Sequence, residues 1–556
     1  MKKKPVCALL LTGSVLLTAC AQPQVPYENA SATAQDLAEY TEKASSEEWD
    51  ICVEAAAECA DAGAAMPAFT SASNDEAASL SPDDFQREGY NQIGESGFVS
   101  VFTQPFSTFA ADVDTACYAN LRRTVTNGCG MDVSALRIEE MINYFDYDYQ
   151  IPQKGDKFGV VTTYTDCPWN ENSKLLRVGI KAEEIPVSGG SNLVFLIDTS
   201  GSMFDDDKLP LVQKAFRILV NQLSAEDTVS IVTYAGSDTV LLEGARGNDR
   251  ETILKAVDGL EAYGSTNGEG GIRRAYEIAE KYYIDGGNNR VILATDGDLN
   301  VGISSEAGLT ELIEEEKETG VMLSCLGFGT GNYMDDRMEA LADHGNGNYS
   351  YIDCEAEAEK VLRDELFSTL YTVAKDVKFQ VEFNPAAVQG YRLIGYENRK
   401  MAAEDFADDK KDGGEVGSGQ TVTVLYEVLP AGTEEVPIVS SRYRNNNIAH
   451  TDELRSAENP DELLVVNIRY KEPNEDKSIL KIYPVTADMY REEMDDDTSF
   501  AAGVAQLGML IRDSDLKGST TYDTVYERLK KLPQITDDDE KLEFLTLIKK
   551  CEKQFS

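Results

Sequence analysis

Between residues 190 and 372 the chain repeats one pattern, a short run of apolar residues followed by a longer stretch with helical spacing. Leu193–Ile197, Thr228–Tyr234, Val291–Thr295 and Gly320–Gly327 read as strands, and Tyr349–Ile352 as a short edge strand. Leu209–Leu223, Glu251–Leu260, Gly268–Tyr283, a segment around Leu309–Ile313, Met334–His344 and Glu357–Tyr371 read as helices. A strand that is apolar at every position has no face it can show to water. The alternation therefore predicts a doubly wound, mostly parallel α/β sheet covered by helices on both sides. Ligands of such sheets sit beyond the carboxyl ends of the strands, where loops diverge. Two of these strands run into an aspartate there, Asp198 and Asp296.

Around those two positions the chain places oxygen donors. Leu193–Ile197 leads into Asp198-Thr199-Ser200-Gly201-Ser202, so that a tight loop at Gly201 can turn both serine hydroxyls inward. Thr266 lies in the polar loop Gly264-Ser265-Thr266-Asn267, and Asp296 follows Val291–Thr295. Carboxylates and hydroxyls without thiolate or imidazole suit a hard cation, Mg²⁺ first, with Ca²⁺ or Mn²⁺ as alternatives. The order D-x-S-x-S, then Thr, then Asp resembles the metal-ion-dependent adhesion site of von Willebrand factor type A domains. That resemblance implies that Asp198, Ser200, Ser202, Thr266 and Asp296 surround one cation, which offers an open position to an acidic group of a partner protein. Asp298 and Asn300 are expected to shape the loop after Asp296, and Asp205–Asp207 either extend the site or form a solvated helix entrance.

The flanks have other periods. Residues 96–189 form an N-terminal α+β unit, with helices from near Thr115 and over Ile138–Phe145, and alternating segments near Val160 and Leu176–Ile180 that would feed toward the central sheet. In residues 373–556, Val377–Phe383, Thr421–Val428 and Leu464–Tyr470 alternate cleanly and predict an antiparallel β-sandwich, with a charged hairpin loop over Asp408–Gly419. Helical spacing returns from Thr498, and a last helical segment is split by Pro533; this pair is expected to pack on the sandwich or on the central domain.

The N-terminus points out of the cytoplasm. Lys2, Lys3 and Lys4 precede an apolar stretch from Val6 to Leu17, which fits a signal peptide over residues 1–19 and is too short for a membrane span. Leu17-Thr18-Ala19-Cys20 resembles a bacterial lipobox, which implies a lipid on Cys20. Residues 20–95, rich in Ala, Ser, Asp, Glu and Pro, read as an acidic, flexible tether. The chain carries 51 Lys and Arg against 98 Asp and Glu, and its formal charge of −47 argues against a nucleic-acid partner. Of ten cysteines, Cys325 lies in an apolar run and should be a buried small residue. Cys52–Cys59 and Cys117–Cys129 are the pairs whose proximity in sequence makes disulfide closure least costly.

Four longer motifs extend the resemblance beyond the site. Ser107–Asn120 (STFAADVDTACYAN), Thr295–Gly302 (TDGDLNVG), Gly327–Tyr333 (GFGTGNY) and Ala501–Arg512 (AAGVAQLGMLIR) resemble signatures of the YfbK-type family of bacterial lipoproteins with a central von Willebrand factor type A domain. The match covers most of the chain from residue 96 onward. It departs at Cys117, where the family leads one to expect serine, and in the acidic tether. The resulting expectation is a membrane-anchored, extracytoplasmic binding protein that engages an acidic residue of an envelope or extracellular protein through the metal. Two other readings stay open: a metal-dependent envelope hydrolase, and a structural lipoprotein whose metal stabilises the sheet end. Ser200 would be the hydrolase nucleophile, yet no histidine neighbours it in sequence, and both the G-x-S-x-G elbow and a phosphate-binding loop are absent.

Overall fold

The computed structural model describes residues 88–111, 114–185, 189–265, 268–297, 306–411, 413–433, 461–473 and 475–556. The signal peptide, Cys20, the tether to residue 87 and the Cys52–Cys59 pair lie outside them, as do Thr266, Asp298 and Asn300.

A six-stranded sheet forms the middle of the chain. Its spatial order is Tyr349–Ile352, Met322–Phe328, Asn288–Thr295, Ser191–Asp198, Thr228–Tyr234 and Asp238–Arg246. All neighbours are parallel except the last pair. Every residue of Ser191–Asp198 is buried because both faces are covered. Leu193, Phe195 and Ile197 pack under Leu209–Gln222, Arg250–Asp258 and the segment through Leu370. Val194 and Leu196, turned the other way by the pleat, pack under Gly268–Lys281, Glu306–Lys317 and Asp335–His344. The chain leaves Ser191–Asp198 toward Thr228–Tyr234 on one side and later returns to its other side at Asn288–Thr295, so the strand order reverses beside Asp198.

The Asp238–Arg246 strand reads in sequence as a polar excursion. It is an exposed edge strand, where a solvated face and Gly244 dilute the apolar signal. The helix expected over Glu357–Tyr371 is broken into Glu355–Glu359, a π-type turn over Lys360–Asp364 and Leu366–Leu370.

The flanking segments interleave in one antiparallel sandwich. One sheet runs Val99–Ser100, Val388–Ile394, Thr421–Pro430, Lys174–Ala182, Phe158–Asp166, Tyr490–Arg491. The other runs Lys400–Met401, Phe106–Ala110, Thr372–Phe383, Glu462–Lys471, Ser478–Thr486. Here one expectation is corrected: Leu176, Val178 and Ile180 do not feed the central sheet. Lys174–Ala182 pairs on both sides within the sandwich, Val178 opposite Val424 and Thr162. Alternation was a signature of an antiparallel strand, and its distant partner lies far along the chain.

Between the two sheets Phe109 stacks on Phe379 with ring centroids 5.2 Å apart, and Tyr396 and Tyr426 close around them. The outer face of the first sheet carries a helical layer of Ala116–Asn127, Ile138–Asn143, Asp496–Ile511, Tyr522–Leu529 and Asp539–Phe555. The C-terminal helices thus pack on the sandwich, and buried ion pairs join this layer to the central domain. Arg137 bridges Glu140 and Asp335, while Arg122 reaches Asp353 and Glu357.

The Cys117–Cys129 pairing is also corrected. Both thiols are free. They stand at opposite ends of the Ala116–Asn127 helix, whose rise over twelve residues is about 18 Å, well beyond disulfide reach. Cys325 is fully buried in the core, as its apolar neighbours required.

Candidate functional site

At the carboxyl end of Ser191–Asp198 the backbone turns sharply and binds its own aspartate. The Ser200 N–H donates to Asp198 Oδ1 at 2.8 Å, and the Thr295 hydroxyl donates to Asp198 Oδ2 at 2.8 Å from the adjacent strand. The Ser200 and Ser202 hydroxyls lie 2.9 Å apart. Thr199 accepts the Tyr263 N–H at 2.8 Å, and Gly201 donates to the Gly264 carbonyl at 3.1 Å, so the loop leading to Thr266 is stitched to the serine loop. Asp198, Ser200, Ser202 and Asp296 therefore gather at one sheet end.

Asp296 is bound differently. Its Oδ2 accepts from Lys208 Nζ at 3.1 Å and from Asn332 Nδ2 at 3.0 Å, and Lys208 also donates to Asn332 Oδ1 at 2.6 Å. Two glycines make room for this. Gly297 turns at φ +80° against Met334, where a Cβ would come within 2.9–3.1 Å of that residue. Gly329, at φ +82°, lets the Lys208 stem pass where a Cβ would meet its Cγ at 2.4 Å. Sequence reasoning missed Lys208, Thr295 and Asn332. For Lys208 the sequence carried no decisive signal: it stands at the N-cap of Leu209–Gln222, where the helix dipole disfavours a cation, and only the fold shows that Asp296 holds it.

Asp198 and Asp296 are fully buried. Burial first, and the neighbouring Asp296 charge second, push the Asp198 carboxyl up to about 7 against the lowering effect of its hydrogen bonds. Two buried carboxylates beside two hydroxyls form a set of hard oxygens of the type that suits a divalent cation, with the Lys208 ammonium already offsetting charge on Asp296. Among the described residues, no group of three or more His, Cys, Asp or Glu side chains is arranged to hold a metal. Any cation here would depend on the hydroxyls. Asp205 and Asp206 are exposed, whereas Asp207 accepts from the Thr330 hydroxyl at 2.9 Å and so braces the Gly329–Asn332 loop. Among the described residues Ser200 has no histidine as a neighbour, since His344 pairs with Glu314 at 3.0 Å at the end of Asp335–His344.

Comparison with known proteins places the chain in a family. A von Willebrand factor type A domain model matches residues 192–364, a model described as von Willebrand factor matches residues 84–177, and the C-terminal model of uncharacterized protein YfbK matches residues 368–554. Uncharacterized protein YfbK of Escherichia coli strain K12 is 40% identical over 472 residues, spanning 83% of this chain and 80% of that protein. This chain belongs to the YfbK family. More distant similarity includes human inter-alpha-trypsin inhibitor heavy chain H4, 28% identical over 25% of this chain and 16% of its own. Among solved structures, a von Willebrand factor type A protein from Catenulispora acidiphila aligns over 72% of this chain and 91% of its own, at 15% identity and a TM-score of 0.41. Two of the motifs on which the resemblance rests meet at the site: TDGDLNVG supplies Thr295 and Asp296, and GFGTGNY supplies Gly329 and Asn332.

Proposed function

We propose that this YfbK-family chain is an extracytoplasmic protein-binding module in which Asp198, Ser200, Ser202, Thr266 and Asp296 hold one divalent cation, Mg²⁺ in the first instance. The observation that carries the reading is the Asp198 carboxyl. It is fully buried at the sheet end, with both oxygens fixed and the Ser200 and Ser202 hydroxyls 2.9 Å apart beside it, and burial with the neighbouring Asp296 pushes it up to about 7, a cost that a bound cation would offset. When bound, the cation supplies positive charge and an open position for an acidic side chain of a partner. The chain's own residues orient that event. The Ser200 N–H and the Thr295 hydroxyl fix both oxygens of Asp198, and the neutral hydroxyls leave charge on the cation for the partner to satisfy. Calorimetric titration with Mg²⁺ should show one site in the wild type and none in Asp198→Ala, with partner capture lost in chelator. Partner affinity that is equal in Mg²⁺ and in chelator would sink the docking mechanism.

The same reading attaches the protein to a membrane by a lipid on Cys20. Among the described residues no helix is long and apolar enough to cross a membrane, so attachment by lipid does not compete with a span there. Labelled fatty acid should enter the wild type and not Cys20→Ser; equal labelling would reject the assignment.

A further inference from the structure

Glu88, Gly89 and Tyr90 lie across the loop that carries Asn332. Gly89 donates to the Tyr333 carbonyl at 2.8 Å and accepts from the Asp336 N–H at 3.4 Å, forming a lone parallel bridge with Met334. The fit is tight, since a Cβ on Gly89 would stand 2.9 Å from Met334 Sδ. Glu88 accepts the Gly331 N–H at 2.8 Å, and its carboxylate is gripped by Arg123 at 3.0 and 3.1 Å. Arg123 and Glu88 are each only 4% exposed, and the same guanidinium holds the Tyr90 hydroxyl at 3.0 Å.

Asn332 sits between the two residues this segment grips, Gly331 and Tyr333. Its amide donates to Asp296, and its carbonyl accepts the Lys208 ammonium, which shares the same Asp296 oxygen. The backbone adds a second link, Met334 N–H to the Asp296 carbonyl at 3.3 Å. The chain from Glu88 to Asp296 is thus a continuous set of direct contacts. It holds an internal cation against one of the two carboxylates that an external cation needs.

We infer that Glu88–Tyr90 is a strap that keeps the site self-neutralised, with Lys208 held on Asp296 as an internal cation that a divalent ion must displace. The inference rests on reading the site as a cation site. Glu88 is a positioning residue, acting through Gly331 and Asn332. Releasing it lets Asn332 withdraw, loosens Lys208 and leaves Asp296 available to the ion. By linkage, cation binding loosens the strap by the same factor.

The test is Mg²⁺ calorimetry on the full chain in five forms: wild type, Glu88→Ala, Asn332→Ala, the double variant of those two, and Glu88→Ala combined with Gly89→Cys and Met334→Cys. Glu88→Ala should bind Mg²⁺ about five- to tenfold more tightly than the wild type. Asn332→Ala, which cuts the same link at the site end and leaves the Arg123 cluster intact, should show a similar gain, and the double variant no further gain. Oxidising the cysteine pair should re-fasten the strap and return the affinity to that of the wild type, and a reductant should release it again. Affinity in Glu88→Ala that is unchanged or weaker, gains that simply add, or a cysteine bridge without effect would overturn the strap and leave the cation site standing. Absence of Mg²⁺ binding in every form would overturn the site and the strap together.

Discussion

Asp198 shows how one side chain can be costly alone and useful with a ligand. Its carboxyl has an ordinary value of 3.8, and burial in the fold with Asp296 beside it pushes this up to about 7. The folded state therefore holds its proton more tightly. The stability this contributes is complete below about 3.8 and is lost as the pH rises through 7, up to roughly 4 kcal/mol in all. Asp198→Asn cannot ionise. In chelator at pH 8 it should resist urea better than the wild type by about 2–4 kcal/mol, with the advantage shrinking toward pH 4. Adding Mg²⁺ should stabilise the wild type alone. An advantage independent of pH would show that the charge is not what burial penalises. The donor types at Asp198, Ser200, Ser202 and Asp296 were legible in the sequence because strand ends converge by topology. The hold of Lys208 and Asn332 on Asp296 was not, because it joins three loops that only tertiary structure brings together.

Helices and strands divide by the same criterion. Leu193–Ile197 and Val291–Thr295 were readable because burial on both faces leaves an unbroken apolar run. Asp238–Arg246 was not, because an edge strand with a wet face carries Asp, Glu and Gly. The helix Asp496–Ile511 is buried on nearly every side, so its small residues are contact points. A Cβ on Gly508 would meet Ile138 Cγ1 at 2.7 Å, and one on Gly503 would meet Leu529 at 2.7 Å. Gly508→Val should cost about 1–3 kcal/mol by overpacking. Part of this should be recovered in an Ile138→Val background, as a double-mutant cycle in urea would read. Strict additivity would place the cost in the helix backbone instead.

At the scale of the whole molecule, the domains are held together by charge as well as by apolar packing. Arg137 is 1% exposed and lies between Glu140, on its own helical layer, and Asp335 of the central domain at 2.8 Å. Removing the guanidinium leaves buried carboxylates without a counter-charge. Arg137→Met should therefore lose about 3–5 kcal/mol in guanidinium unfolding, far more than an exposed Arg217→Met, whose Asp258 partner is also solvated. Equal losses would mean that the junction is held by apolar contact alone. These junctions were invisible in the sequence, where Arg137 and Asp335 are ordinary charged residues far apart.

The interleaved sandwich also imposes an order on biosynthesis. Lys174–Ala182 finds its partner in Thr421–Pro430, and Phe106–Ala110 finds its own in Thr372–Phe383. During translation the earlier strands must wait while about 240 residues emerge, on the order of 10–50 s at ordinary elongation rates. The central domain has all six of its strands by Ile352 and can fold within that interval. Lys174–Ala182 can pair at once with Phe158–Asp166, but its other edge and the whole of Phe106–Ala110 stay unpaired until late, and a ribosome stalled after residue 371 would leave those edges open to aggregation. Nascent chains of this protein should therefore draw chaperones to their first half for as long as the second is missing.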